Sequence, residues 1–548
     1  MSLISADLRD FDAICASFKW NIPEYSNIAH EVCDRHTRHA DDVALFYEHA
    51  DGKEQTFTFG QIKSLSNRFA NALLALGVSR GDRVAIILSQ RAETAISHLA
   101  AYKIGAVALP LSILFGPDAV EYRLRDSGVK AVVTDNDHLP MLQAMKPVLP
   151  ELQTVIGCDD EAEGELAFWP LLEQASDALK IVATRADDPA LLIYTSGTTG
   201  PPKGALIAHR SLLGNLTGFE LSQNFFPRDD DVFWTPADWA WTGGLLDGLL
   251  PTWYYAKPIV AYEGGKFDPE KACHLMHKYA VTNAFIPPTA LKMMRQVDNI
   301  GNRFRLGVRG IMSAGEAVGE ELYRWTAEAL AVKVNEMWGQ TEFNYLVGNC
   351  SEIMPVKPGS MGKPYPGHTV DVIGEDGQPM RAGETGELAA RSGDPVMFLG
   401  YWGNEDATRE KFIGKWFCTG DVGVRDEDGY LWFVGRKDDV ISSAGYRIGP
   451  GEIEDCLLKH PAVVQAAAIG SPDELRGNIV KAFIVLAKGY RPSDDLKKEI
   501  QDSVRTRLAA YEYPREIEFI DEVPMTTTGK VRRVELRERE LTRKGLKT

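Results

Sequence analysis

Tyr194-Thr195-Ser196-Gly197-Thr198-Thr199-Gly200-Pro201-Pro202-Lys203-Gly204 closes an apolar run, residues 190–194, that reads as a buried strand. Glycines let a backbone approach a ligand closely and take positive φ. The hydroxyls of Thr195, Ser196, Thr198 and Thr199, together with the backbone N–H of Gly197 and its neighbours, are donors for phosphate oxygens, and Lys203 adds a cation. The string therefore suits a polyphosphate. It is not a Walker A loop, because Pro202 precedes the lysine and Gly204 follows it. No G-x-G-x-x-G fingerprint occurs, so a dinucleotide-binding oxidoreductase has no support.

Upstream of this loop the chain alternates helix and strand. Ile62, Leu65, Phe69, Leu73 and Leu76 recur at helical spacing, and Gly77 stands where the helix would stop. Residues 83–88 (RVAIIL) read as a buried strand, 92–104 as a helix and 106–111 as a strand. This rhythm predicts a parallel sheet covered by helices, an α/β fold. After about residue 360 Gly and Pro become dense, and short strands are separated by turns such as Glu375-Asp376-Gly377 and Glu427-Asp428-Gly429, which reads as a β-rich subdomain. Beyond Gly435 the pattern is mixed α and β. Strands AVVQAAAIG and KAFIVLA precede an amphipathic stretch at 494–508, and EIEFID leads into a polar loop at 526–530. A domain boundary is expected near residues 436–440.

The chain has 548 residues, a formal net charge of −17 and a pI near 5.2. Such an acidic surface repels phosphate backbones and anionic membranes, so nucleic acid is not an expected partner. No apolar run reaches the roughly 18 residues of a membrane span. The seven cysteines form no CxxC pair, and their odd number argues against a disulfide framework. Reduced thiols and an N-terminus without an apolar signal core predict a cytoplasmic protein.

Five further motifs follow the loop in a fixed order. They are Ser313-Ala-Gly-Glu-Ala317, Asn335-Glu-Met-Trp-Gly-Gln-Thr-Glu342 and Phe417-Cys-Thr-Gly-Asp421, then 435–454 (GRKDDV with GYRIGPGEIE), and Pro524-Met-Thr-Thr-Thr-Gly-Lys-Val531. Singly, each has a plain reading. A lone lysine in a Thr-rich loop is usually a solvated charge, and Asp421 could hold a turn. Arg436 and Arg447 could be exposed ion pairs. As an ordered set they resemble the signature of the adenylate-forming superfamily, which comprises acyl- and aryl-CoA ligases, nonribosomal adenylation domains and luciferases. The resemblance covers nearly the whole chain. It implies a large N-terminal domain, residues 1–437, of stacked mixed and parallel sheets with helices plus the β-rich subdomain. It also implies a small mobile α+β C-terminal domain, residues 438–548.

The resemblance assigns residues as well. Thr195, Ser196, Gly197, Thr198, Thr199 and Lys203 meet phosphate. Gly315, Glu316, Ala317, Glu336, Met337, Trp338 and Gln340 form the adenine side, Thr341 meets phosphate, and Glu342 holds Mg²⁺. Asp421 and Arg436 take the ribose, and Arg447 a phosphate. Lys530 is the adenylation lysine, Asp438 the hinge, and Gly445 flanks a pantetheine tunnel. The residue types fit the chemistry. A carboxylate attacking an α-phosphate needs charge neutralised and groups positioned rather than a protein nucleophile.

Trp234-Thr-Pro-Ala-Asp-Trp-Ala-Trp-Thr-Gly-Gly244 resembles the ADxGW segment of acetyl-type and medium-chain synthetases, with Ala240 where Gly is usual. Trp241, Thr242 and Gly243 then line the acyl pocket. Acetyl-CoA synthetases carry a second Trp after the one equivalent to Trp338. Here Gly339 stands in its place, which predicts a pocket deeper than acetate requires, for a medium-chain, branched or aryl acid. Arg505 lies 25 residues before Lys530, where acetyl-type synthetases place an arginine for the CoA 3′-phosphate. It is equally a solvated residue of an amphipathic helix. The expected function is an AMP-forming acyl-CoA synthetase using ATP, Mg²⁺ and coenzyme A. The alternative is an adenylating enzyme that serves a carrier protein, although no carrier domain follows Lys530. Lys530 is also an expected target of a lysine acetyltransferase and deacetylase, since acetylation removes its charge. The sequence leaves the oligomeric state open.

Overall fold

The Thr58 hydroxyl accepts from the Gln61 backbone amide at 3.2 Å, and the Gln61 side-chain oxygen accepts from the Thr58 backbone amide at 2.8 Å. This capping box starts the helix Phe59–Ala75, whose buried stripe includes Ile62, Phe69 and Leu73. The strand Arg83–Ile87, the helix Ala92–Lys103 and the strand Val107–Pro110 follow in the order that the apolar pattern predicts. Ala92–Lys103 is buried on every side. That burial extends to Lys103, whose ammonium donates to Ser66 and Asn67 and pairs with Asp34 at 2.8 Å. A buried ammonium is tolerable only with such partners.

The protein is described by a computed structural model over residues 2–5, 7–159, 166–195, 201–443, 446–473, 477–508, 512–526 and 530–546. The chain divides into two compact units, Met1–Thr369 with Arg391–Lys411, and Val370–Ala390 with Phe412–Thr548.

Among the described residues, the first unit holds an eight-stranded and a nine-stranded sheet. In the first sheet a parallel block (Val107–Pro110, Arg83–Ile87, Ala131–Thr134, Thr154–Gly157, Leu166–Ala167) is extended by β1 (Pro189–Thr195). It ends in the antiparallel strand β2 (Lys203–Ala208) and a short edge strand, Gly400–Tyr401. The second sheet has a parallel centre that includes β3 (Gly310–Ser313) and β4 (Val334–Gln340), continued antiparallel by β5 (Phe343–Gly348). Parallel strands buried on both faces read as continuous apolar runs, which is why the sequence pattern exposes them.

The second unit contains the β-rich sheet expected after residue 360, with Val370–Ile373, Thr385–Arg391, Phe412–Ile413, β6 (Trp416–Arg425) and β7 (Leu431–Arg436). A hairpin, Ile441–Ser443 with Tyr446–Ile448, follows it. A three-stranded sheet then carries helices Pro450–Leu458, Asp494–Arg505 and Arg533–Arg543. The α/β first unit and the α+β C-terminal segment agree with the expected fold class. Among the described residues no helix is long and apolar enough to cross a membrane.

Candidate active site

In the first unit, β1 and β2 form a hairpin that sets Thr195 opposite Lys203. The Thr195 hydroxyl donates to the Lys203 carbonyl at 3.3 Å. Ser196, Gly197, Thr198 and Thr199 lie outside the described residues. A Cβ at Gly204 would fall 2.8 Å from Leu192 and 3.3 Å from Trp402, so close packing also demands this glycine.

β3 runs beside the first half of β4, with Ser313 at its C-terminal end in register with Glu336. Gly315 turns the chain just beyond β3 at φ +95°, which side chains rarely adopt. Glu316 there accepts from the Thr289 hydroxyl at 3.1 and 3.2 Å, and Ala317 is exposed. Glu336 and Met337 are buried in β4, and Trp338 packs on Phe343 with ring centroids 5.6 Å apart. Gln340 pairs with Phe343, and Thr341 and Glu342 form the turn between β4 and β5.

Glu342 is nearly buried, and its Oε1 accepts from the Tyr401 hydroxyl at 2.6 Å. The Lys203 ammonium lies 5.4 Å from the centre of the same Tyr401 ring. The edge strand Gly400–Tyr401 thus gathers the loop lysine and the Glu342 carboxylate around one phenol. Among the described residues, no basic side chain pairs with Glu342 and no carboxylate pairs with Lys203. A buried carboxylate whose side-chain partner is a neutral hydroxyl suits a hard, oxygen-seeking cation. No group of three or more potential ligands occurs among the described residues. Such an ion would take one carboxylate from the chain and the rest of its ligands from phosphate and water, as Mg²⁺ does. Sequence reading missed Tyr401, because nothing in Gly-Tyr-Trp marks it as polar machinery.

The acyl segment places Trp241 against Phe115, rings 5.7 Å apart and edge-on. Thr242 and Gly243 open a short helical turn, and a Cβ at Gly243 would fall 2.6 Å from the Phe285 ring. The same stretch continues to Asp247, a buried carboxyl that accepts from the Asn344 amide and whose pKa burial pushes well up. Asn344 in turn lies against Gly339, where a Cβ would sit 3.2 Å from the Asn344 backbone and 2.9 Å from the Tyr345 nitrogen. The β4–β5 register shifts between Trp338 and Gln340. Gly339 therefore has a backbone cause, an irregular strand crossing, beside any effect on the acyl pocket. Asp238 accepts from the Ala240 amide at 2.9 Å, and burial raises its pKa.

In the second unit, Asp421 of β6 and Arg436 of β7 are cross-strand partners joined at 3.0 Å. The two residues assigned to the ribose are thus neighbours, with Asp421 buried. Asp438 is exposed in the turn after β7. Gly445 and the side chain of Arg447 lie outside the described residues. Lys530 is paired with Thr526. Its carbonyl accepts from the Thr526 amide at 2.7 Å, and its amide donates to the Thr526 hydroxyl at 3.0 Å. Lys530 is exposed, as is Arg505, which ends its helix over the Tyr513 ring at 5.3 Å.

Comparison with known proteins shows the family. The model of the AMP-binding enzyme family matches residues 33–402, and that of the AMP-binding enzyme C-terminal domain matches residues 452–530. The mitochondrial acyl-coenzyme A synthetase ACSM3 of Rattus norvegicus is 35% identical, over 98% of this chain and 95% of its own. The acetyl-coenzyme A synthetase of Bacillus subtilis is 37% identical, over 94% and 91%. The crystal structure of the anthranilate CoA ligase AuaEII with anthranoyl-AMP superposes with a TM-score of 0.86 at 31% identity, over 96% of this chain and 99% of that one. The mitochondrial location of the mammalian relatives ACSM3 and ACSM4 overturns the cytoplasmic expectation. Free cysteines do not single out the cytosol. With ATP and coenzyme A as its co-substrates, the chain belongs to the AMP-binding enzymes as an acid–thiol ligase, forming an acyl-adenylate and then an acyl-CoA.

Proposed function

We propose that this ligase activates a medium-chain, branched or aryl acid, with Lys203, Glu342 and Lys530 carrying the adenylation step. The observation that carries the reading is the arrangement around Tyr401. Among the described residues a cation and a carboxylate stand there without charged partners, at the closed end of the hairpin that bears the Thr/Ser/Gly loop. An anionic triphosphate with its counter-ion answers both charges. Glu342 would hold Mg²⁺, which screens the phosphates and eases departure of pyrophosphate. Lys530 bridges the attacking carboxylate and the α-phosphate, stabilising charge as it develops. Thr341 and the loop hydroxyls orient the phosphates, and Asp421 with Arg436 takes the ribose. Coenzyme A thiol then attacks the acyl carbon and expels AMP. For that step the segment beyond Asp438 turns, Gly445 borders the pantetheine path, and Arg505 meets the 3′-phosphate.

Aromatic walls at Trp241, Phe115 and Phe285 support an apolar acyl group. AuaEII, a similar structure, was solved with anthranoyl-AMP, an aryl adenylate. The test is pyrophosphate release with Mg-ATP over acetate, butyrate, isobutyrate, octanoate, benzoate and phenylacetate, with and without coenzyme A. Turnover that needs both acid and coenzyme A, and is best with an acid larger than acetate, supports the reading. A clear preference for acetate overturns the substrate class. Acid-dependent release indifferent to coenzyme A would move the acyl group to another acceptor.

Lys530→Ala is expected to slow adenylation roughly 100-fold or more while keeping much of the thioester step from supplied acyl-adenylate. Equal loss of both steps would remove Lys530 from its assigned role. Acetylation of Lys530 by a lysine acetyltransferase, reversed by a deacetylase, would act in the same direction as the alanine.

A further inference from the structure

The helix α1 (Pro117–Ser127) carries Tyr122 and Asp126 one turn apart, on one face. Tyr122 donates its hydroxyl to the carbonyl of Pro202, which immediately precedes Lys203. Asp126 accepts from the hydroxyl of Tyr194, at 2.5 Å, immediately before Thr195. One helical turn therefore grips the chain on both sides of the phosphate loop. The two tyrosines also meet edge-on, with ring centroids 6.3 Å apart.

The helix itself is firmly placed. Arg123 is buried, with its guanidinium 4.2 Å from the Phe115 ring centre and 5.8 Å from that of Tyr194. No carboxylate pairs with it among the described residues, so aromatic faces and the Ala119 carbonyl are its main support. Gly128 ends the helix in the left-handed conformation, and Arg83 donates to the Ser127 and Gly128 carbonyls just there. The Trp402 indole donates to the Asp126 carbonyl at 3.1 Å, while the Trp402 amide donates to Gly204 at 2.7 Å. Burial and the adjacent Asp126 carboxylate keep the Tyr194 phenol protonated, as a donor must be.

We propose that Tyr122 and Asp126 are positioning residues for ATP, holding the two flanks of the phosphate loop, Pro202 and Tyr194, in register. The proposal rests on the reading of residues 194–204 as the phosphate loop. Neither side chain reaches the acid or the thiol in this role. Their loss therefore belongs to nucleotide binding, not to the thioester step.

The test compares full-length wild type with Tyr122→Phe, Asp126→Ala and Asp126→Asn. ATP affinity is measured by calorimetry, and KM for ATP, acid and coenzyme A by pyrophosphate and thioester assays with the best acid of the panel. Tyr122→Phe removes one hydrogen bond, and a threefold to tenfold rise in both the Kd and the KM for ATP is expected. KM for acid and the rate of thioester formation from supplied acyl-adenylate should stay within about twofold. Asp126→Ala should match or exceed that rise, and Asp126→Asn, which still accepts, should restore most of the affinity. Unchanged ATP affinity in Tyr122→Phe overturns the proposal, as does an equal rise in KM for all three substrates, the mark of general destabilisation. A wild type that binds no ATP overturns the phosphate-loop reading itself, and this proposal with it.

Discussion

Among the described residues, the Tyr401 hydroxyl is the one side-chain hydrogen-bond donor to the Glu342 carboxylate. Removing a donor from a nearly buried carboxylate costs more than a neutral bond would, on the order of 1.5–3 kcal/mol. Tyr401→Phe keeps the ring beneath Lys203 and deletes only that bond. Its kcat/KM for Mg-ATP is expected to fall about tenfold or more, and the Mg²⁺ concentration for half-maximal rate to rise. An Mg²⁺ titration of pyrophosphate release checks this, and curves that overlay wild type would remove Tyr401 from the site. At this scale the sequence singled out residues whose type suits the chemistry, Lys203, Glu342 and Lys530 in ordered strings, and the structure sets the first two around Tyr401. It was opaque where contact joins distant positions. Tyr401 is 59 residues from Glu342, and Tyr122 is 80 from Pro202. Both tyrosines read as ordinary packing residues. Gly339 shows the converse: a missing side chain reads as pocket space, yet neighbouring backbone already excludes one.

The helix Arg533–Arg543, which follows the Lys530 loop, is fastened to its sheet through a buried carboxylate. Glu540 accepts from Lys481 at 2.5 Å, from Ser471 at 2.7 Å and from Arg543 at 2.7 and 2.9 Å. Burial alone would raise its pKa, but the bonds from Arg543, Lys481 and Ser471 outweigh burial and bring it from 4.5 to about 2. A pKa depressed by folding stabilises the folded form fully above the unfolded value and is lost as pH falls through the folded one. Glu540→Gln should therefore loosen this helix and sheet at pH 7 by roughly 1–3 kcal/mol, since Lys481 keeps Glu518. The gap from wild type should close between pH 4.5 and about 2. Hydrogen-exchange protection of the strand Gly477–Leu486 in the full chain reads this directly, and a gap that persists unchanged at low pH would exclude the ionic origin. Elements of this length were legible, because apolar strands and amphipathic helices carry their period over many residues. Two-residue strands such as Gly400–Tyr401 are too short to show any period, and that is where Tyr401 sits.

At the scale of the whole chain, the residues assigned to adenylation are divided between the two compact units, Lys203 and Glu342 in the first and Asp421, Arg436 and Lys530 in the second. The order of the motifs made this sharing legible in the sequence, because it required distant segments to serve one reaction. The packing of residues 370–390 with the C-terminal segment was not legible, since it depends on strand pairing across a long excursion. Two chemical steps on one acyl group, attack of its carboxylate on the α-phosphate with Lys530 assigned to help, and then attack of a thiol on its carbonyl carbon, would be served by a backbone that changes between them. Asp438 is exposed in the turn after β7, where a change of φ and ψ disturbs no core. Proline fixes φ near −65°, whereas glycine leaves it free. Asp438→Pro is therefore expected to slow one half-reaction about tenfold or more relative to the other, and Asp438→Gly to leave both close to wild type. Single-turnover pyrophosphate release without coenzyme A measures the first half, and acyl-CoA formation from supplied acyl-adenylate measures the second. If proline depresses both equally, or neither, the turn at Asp438 is an ordinary connection and the change between steps lies elsewhere in the chain.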